Sequence, residues 1–228
     1  MSPTSTVEIA VATPIALASA VLALTPVIDS YRRAALRRLV PGVCRLLEVN
    51  GIDYWCDFGT LLGLYREGDI IRGDKDADLG ILESQRPRLM ALASAFAADG
   101  YELTDRGGRS RRVIRIYDTR TRYYVDVYPY RTDGALLRSA VTSPQEDIPA
   151  ALVARPVTAS FLGATVRVPE DIEGVLHHRY GPAFRTPRRG DKGATRRYSR
   201  LRSLLEDLQD NFLGIWSWVN GFRAPQNR

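Results

Sequence analysis

Residues 52–82 read IDYWCDFGTLLGLYREGDIIRGDKDADLGIL, and the fold turns on how this stretch is parsed. Ile52, Tyr54 and Trp55 form an apolar, aromatic run suited to a short buried strand. At Phe58-Gly59-Thr60 a small residue lets the backbone turn sharply. The spacing then predicts a short helix with Leu61, Leu62, Leu64 and Tyr65 on its apolar face, stopped at Gly68 after Arg66 and Glu67. Past a polar loop, residues 74–82 alternate: Ala77, Leu79 and Ile81 share one parity, Asp76 and Asp78 the other. Alternate residues of a strand face the same side, so two carboxylates project together from a strand whose back is apolar.

Two carboxylates held close together at a partly buried site repel each other unless a cation neutralises them. Hard oxygen ligands suit Mg2+ or Mn2+, whose shells are commonly completed by substrate phosphates, so the expected substrate is a phosphate ester or anhydride. A calcium loop is excluded: counted from Asp74, its sixth position would be Leu79 rather than Gly and its twelfth Gln85 rather than Glu. A sugar-nucleotide glycosyltransferase also uses Asp-x-Asp, but nothing in its chemistry asks for the upstream Gly-Thr turn and helix. A solvated acidic turn explains the aspartates alone and leaves the Gly-Thr turn and Arg66 without a purpose.

Strand, Gly-Thr turn, helix and Asp-x-Asp on the next strand together resemble the DNA polymerase β-type nucleotidyltransferase superfamily. Within it the stretch looks like the LicD/fukutin branch. Gly59, Thr60, Leu61, Leu62, Gly63, Arg66, Asp74, Asp76 and Asp78 match that branch's core, while Glu67 stands for a frequent His and Arg72-Gly73 for Pro-Trp. The resemblance runs from about Leu36 to Pro187, with weaker matches at Val168-Pro169 and Tyr180-Gly181-Pro182. It implies a third metal carboxylate on a later strand, assigned to Asp126 within Tyr124-Val125-Asp126-Val127-Tyr128. An aspartate between valines is unfavourable in a strand without a partner, and the metal would be that partner.

The resemblance therefore implies a metal site of Asp76, Asp78 and Asp126, which would also be the catalytic residues. Gly59 and Thr60 would approach the donor phosphates, with Arg66 and Asp74 beside them. It further implies transfer of a phosphorylated alcohol, such as phosphocholine or a polyol phosphate, from a CDP-linked donor to a hydroxyl of a glycan or related acceptor. Two alternatives stay open: transfer of an NMP group to a small molecule, and a non-catalytic basic binding module on the same fold.

The chain, of 228 residues, is long enough for one good core. Its net charge of +6 favours phosphorylated or polyanionic partners, although the basic tail lacks the aromatic interleaving of single-strand binders and no nucleic acid is expected. Cys44 and Cys56 each lie in an apolar run and read as reduced core residues of a cytoplasmic protein. With His177 and His178 the only histidines, Cys/His-type metal sites are excluded.

Residues 1–30 read as a leader that is loosely ordered, lies on the domain or attaches to a membrane, with Arg32, Arg33, Arg37 and Arg38 suiting an anionic inner surface or a solvated helix face. Residues 31–187 form the domain. It begins with a helix over Tyr31–Asn50 kinked or broken at Pro41 and continues with an alanine-rich helix over 85–99. Strands are expected over 101–103, 111–117, 123–130, 152–157 and 161–168, then a helix over 170–180. Residues 188–228 comprise the end of an arginine-rich loop, in which Lys192 and Arg196 are candidate phosphate contacts, and an amphipathic helix expected to pack on the domain. The fold expected is α+β: a mixed or antiparallel sheet with helices largely on one face.

Overall fold

The structure, a computed structural model, describes residues 3–108, 111–140 and 146–187, with side chains over 26–105, 113–140 and 146–187. Five strands form the body of one sheet in the order β1-β2-β5-β4-β3: β1 (Trp55–Cys56), β2 (Ala77–Leu82), β3 (Tyr101–Gly108), β4 (Arg111–Asp118) and β5 (Tyr124–Asp133). The far end of β5 pairs with β6 (Leu136–Ser139), which pairs with β7 (Ile148–Pro149). Among the described strands only β2 and β5 run parallel, so the sheet is mixed, one of the two arrangements the sequence left open. A parallel neighbour requires a crossover. Here it comprises a 3-10 turn, α3 (Arg86–Met90), α4 (Ala93–Ala98) and the β3–β4 hairpin. The hairpin of β8 (Pro156–Phe161) and β9 (Ala164–Pro169) stands apart, between α5 (Ala150–Val153) and α6 (Ile172–Tyr180).

The two periodicities of the sequence account for the core. Leu36, Leu39, Val40, Val43, Leu46 and Leu47 recur at helical spacing along α1 (Pro3–Val49) and are buried. Ala77, Leu79 and Ile81 of β2, Val125 and Val127 of β5, and Ile114 and Ile116 of β4 are all fully buried on the strands' apolar parity. Gly80 sits where a Cβ would come within 2.2 Å of the Trp55 ring, so the indole of β1 packs directly on the backbone of β2.

Four local expectations are revised. Helix α1 is continuous from Pro3 to Val49, so Pro41 does not break it and the helix expected to start at Tyr31 starts earlier. Asp29 accepts a hydrogen bond from Gly73 N and Ile28 is buried, which ties the end of the expected leader to the domain. Of the four arginines that follow, Arg32 is buried, while Arg33 and Arg37 pair with Asp69 and Arg33 also donates to Ile70 O. The expected helix 85–99 is two short helices, and the expected strand 152–157 is partly α5. No helix among the described residues is long and apolar enough to cross a membrane. The expected helix near the C-terminus lies outside the described residues.

Candidate active site

Helix α2 (Phe58–Glu67) starts one residue earlier than the glycine turn suggests, because Asp57 caps it: its Oδ1 accepts from Phe58 N at 2.8 Å. The cap places Gly59 N 3.1 Å from Asp78 Oδ2, and Thr60 Oγ1 accepts from Asp78 N at 2.7 Å. Asp57 N in turn donates to Asp78 O. The turn and the first aspartate of β2 are thus bonded through three separate atoms. A Cβ on Gly59 would meet Asp74 Oδ2 at 2.5 Å and Asp78 Oδ2 at 3.4 Å, so glycine is what lets both carboxylates close over the turn.

Sheet register supplies the third carboxylate. Asp78 of β2 is the direct partner of Asp126 in β5, and Asp126 is the direct partner of Arg115 in β4. The three side chains therefore form one row across neighbouring strands. Arg115 donates Nε to Asp126 Oδ1 at 2.6 Å and Nη2 to Asp126 Oδ2 at 3.1 Å, a two-pronged ion pair. Burial opposes the charge on Arg115, but its bonds to and attraction by Asp126 outweigh that and hold its pKa up. The sequence supplied no partner for Asp126 except a metal; the structure shows this arginine.

Asp76 precedes β2 rather than lying in it, yet its charge remains close to Asp78. Burial pushes the Asp78 carboxyl well above the usual carboxylate range, and the charges of Asp76, Asp74, Asp126 and Asp57 push it further. Tyr128, on the same parity of β5 as Asp126, is raised by burial and by Asp78, Asp126 and Asp76. Tyr180, at the end of α6, is raised by burial and by Asp78, Asp74 and Asp57. Both tyrosines thus lie within electrostatic reach of the acidic group.

Carboxylate oxygens are the donor type that a hard divalent cation takes. Among the described residues no three His, Cys, Asp or Glu side chains are already drawn together as a metal cluster. Asp126 would have to share its carboxylate between Arg115 and the ion.

The other expected site residues fall as follows. Thr60 is buried and braces Asp78. Arg66 donates Nε to Phe184 O at 2.6 Å and Nη2 to Thr186 O at 3.0 Å, tethering the chain after α6. Lys192 and Arg196 lie outside the described residues. Three residues of the site were not singled out from sequence: Asp57, Arg115 and Arg179. An Asp just before a glycine turn and helix is a readable cap signal. For Arg115 and Arg179 no local signal exists, since one depends on register and the other on where α6 docks.

The model of the LicD/FKTN/FKRP nucleotidyltransferase domain matches residues 51–171. The chain belongs to this family. It is 29% identical over 157 residues to the ribitol 5-phosphate transferase FKRP of Homo sapiens, and equally to that of Mus musculus, covering 65% of this chain and 31% of each relative. The chain thus spans about a third of the length of those curated relatives. An uncharacterised Rickettsia prowazekii protein, RP689, is 34% identical over 77 residues, 34% of this chain and 29% of that protein. Two solved structures are more distant. The lincosamide antibiotic adenylyltransferase LnuA bound to lincomycin has 12% identity, 75% and 92% coverage of the two chains and a TM-score of 0.42. ANT(2")-Ia with adenylyl-2"-tobramycin has 14% identity, 80% and 88% coverage and a TM-score of 0.45. Neither structural likeness carries an inference about this LicD-family chain.

Proposed function

We propose that this LicD-family chain transfers a phosphorylated alcohol, of the polyol-phosphate or phosphocholine kind, from a CDP-linked donor to a hydroxyl of a glycan or related acceptor. The observation that carries the reading is the pairing of Asp78 with Asp126 across β2 and β5, beside a glycine turn closed by Asp74. Its similarity to a ribitol 5-phosphate transferase supports the alcohol class. Asp76, Asp78 and Asp126 would hold Mg2+ or Mn2+, which when bound neutralises phosphate charge and lowers the pKa of an acceptor hydroxyl.

The chain's own residues contribute position. Gly59, having no side chain, lets Asp74 and Asp78 close on the turn beside which the donor phosphates would lie, and Thr60 and the Asp57 cap keep Asp78 against that turn. Arg115 fixes the plane of the Asp126 carboxylate, one oxygen of which would take the acceptor's proton. Phosphoryl transfer asks little covalent work of a protein, so positioning and charge account for most of the catalysis.

Thermal-shift measurements with CDP-ribitol, CDP-choline, CTP and ATP, each with and without Mg2+, test the reading. Stabilisation by a CDP-alcohol that depends on Mg2+ is the expected result. Stabilisation by triphosphates alone would replace it with nucleotidyl transfer, and binding only to nucleic acid or lipid vesicles would replace it with a binding module.

A further inference from the structure

Arg179 is 4% exposed and Asp57 fully buried, and they meet through a fork: Nε to Oδ1 at 3.1 Å and Nη2 to Oδ2 at 2.8 Å. Asp57 Oδ2 also accepts from Tyr130 Oη at 3.1 Å and from the Trp55 indole Nε1 at 3.3 Å. Arg179 donates further to Tyr130 Oη at 2.8 Å and, through Nη1, to Glu146 O at 2.6 Å. Its guanidinium carbon lies 4.2 Å from the centroid of the Phe58 ring. Phe58 adopts a φ of 40°, the left-handed region that a bulky L-residue enters only when its surroundings hold it there. Phe58 is the residue between the Asp57 cap and Gly59, whose N–H binds Asp78.

Resting on the reading above, we infer that Arg179 is a positioning residue for the glycine turn. By gripping Asp57 and covering the Phe58 ring, it holds the backbone of Phe58-Gly59 in the one conformation that presents Gly59 to Asp78 and to donor phosphate. It touches neither substrate nor Asp78. It is carried by α6, just past the residues 51–171 that match the family model. A buried salt bridge is in general poor value for stability, since desolvation offsets much of the attraction. Here the five bonds into Asp57, from Phe58, Trp55, Tyr130 and twice from Arg179, converge on the residue that sets the turn. A fork-shaped donor makes both contacts to Asp57 at once, which a lysine cannot.

The test uses the full chain, 15N-labelled, as Arg179→Lys and, because that variant can lose its fold, also as the milder Tyr130→Phe. Two signals report the turn independently of any enzyme assay: the Trp55 indole N–H cross-peak and the Gly59 amide cross-peak, each assigned by substitution. Both are expected to shift in both variants with the rest of the spectrum largely preserved. The kcat for the CDP-alcohol that stabilises the parent should fall by about tenfold or more, with donor KM changing less, as misplacement by a fraction of an ångström produces. An unmoved Gly59 amide in a folded variant overturns the proposal, and so does a moved amide with parental kcat. If the parent uses no CDP-alcohol at all, the functional reading falls, while the Gly59 shift alone decides whether Arg179 governs the turn.

Discussion

Arg115 and Asp126 form a two-pronged ion pair between adjacent antiparallel strands, in the row whose third member is Asp78. The aspartate side chain is 6% exposed and the arginine 20%, so the pair is largely withdrawn from water. Removing its cation leaves a buried carboxylate beside a second one. Arg115→Met is expected to cost about 2–4 kcal/mol in urea unfolding. Arg115→Lys should recover part of that, because it keeps the charge and loses the fork. A Met variant as stable as the parent would show that Asp126 is compensated by something else.

Asp78 behaves in the opposite sense. Its folded-state pKa is raised, chiefly by burial and then by its acidic neighbours, so the stability linked to this group is full below the ordinary carboxylate value of 3.8 and is lost as pH rises through the folded value. Asp78→Asn keeps an oxygen for Gly59 N and removes the charge. Its melting temperature at neutral pH should therefore exceed the parent's, its stability should decline less between acid and neutral pH, and its transfer activity should fall to background. A lower melting temperature together with retained turnover would remove Asp78 from the site.

Gly59→Ala introduces a methyl group 2.5 Å from Asp74 Oδ2, nearer than any real Cβ contact. Asp74 must swing away. Helix α2 itself tolerates alanine well, so circular dichroism should be unchanged, while Mg2+-dependent stabilisation by a CDP-alcohol is expected to weaken at least about tenfold. Unaltered binding would mean that the closeness of Asp74 to the turn has no part in function.

Cys44 supplies a pH test remote from the cleft. Burial pushes its thiol from 9.0 up to about 12, and Cys56 is likewise buried and raised. The folded chain thus keeps Cys44 neutral where the unfolded chain ionises it, so this contribution to stability is intact below 9.0 and declines as pH climbs toward about 12. Denaturant unfolding of Cys44→Ala should show a shallower alkaline decline than the parent. Native protein should react with a thiol reagent at mildly alkaline pH only as fast as it opens.

Much of the cleft could be read along the chain. The parity of Asp78 against Ala77, Leu79 and Ile81, and that of Asp126 between two valines, is a local property of an extended backbone, whereas Asp76, expected on the same strand, falls just before it. Gly59-Thr60 and the leucines of α2 are equally local signals, although the helix starts at Phe58 and takes Gly59 and Thr60 into its first turn. Reading failed where tertiary packing overrode local rules. Pro41 sits inside a helix that its buried neighbours Leu36, Leu39, Val40 and Val43 hold against the core, and Ala91-Leu92 splits a run that propensity alone would join.

What the amino-acid order determined by itself is therefore which strand face Asp78 and Asp126 each take, because side-chain direction in a strand repeats every two residues. What only the tertiary structure decided is which of them become neighbours and what neutralises them. Strand register set Asp126 against both Asp78 and Arg115, and the docking of α6 delivered Arg179 to Asp57 across 122 residues of chain. Contacts at such separation are fixed by how layers pack to bury apolar surface, which no window of sequence contains.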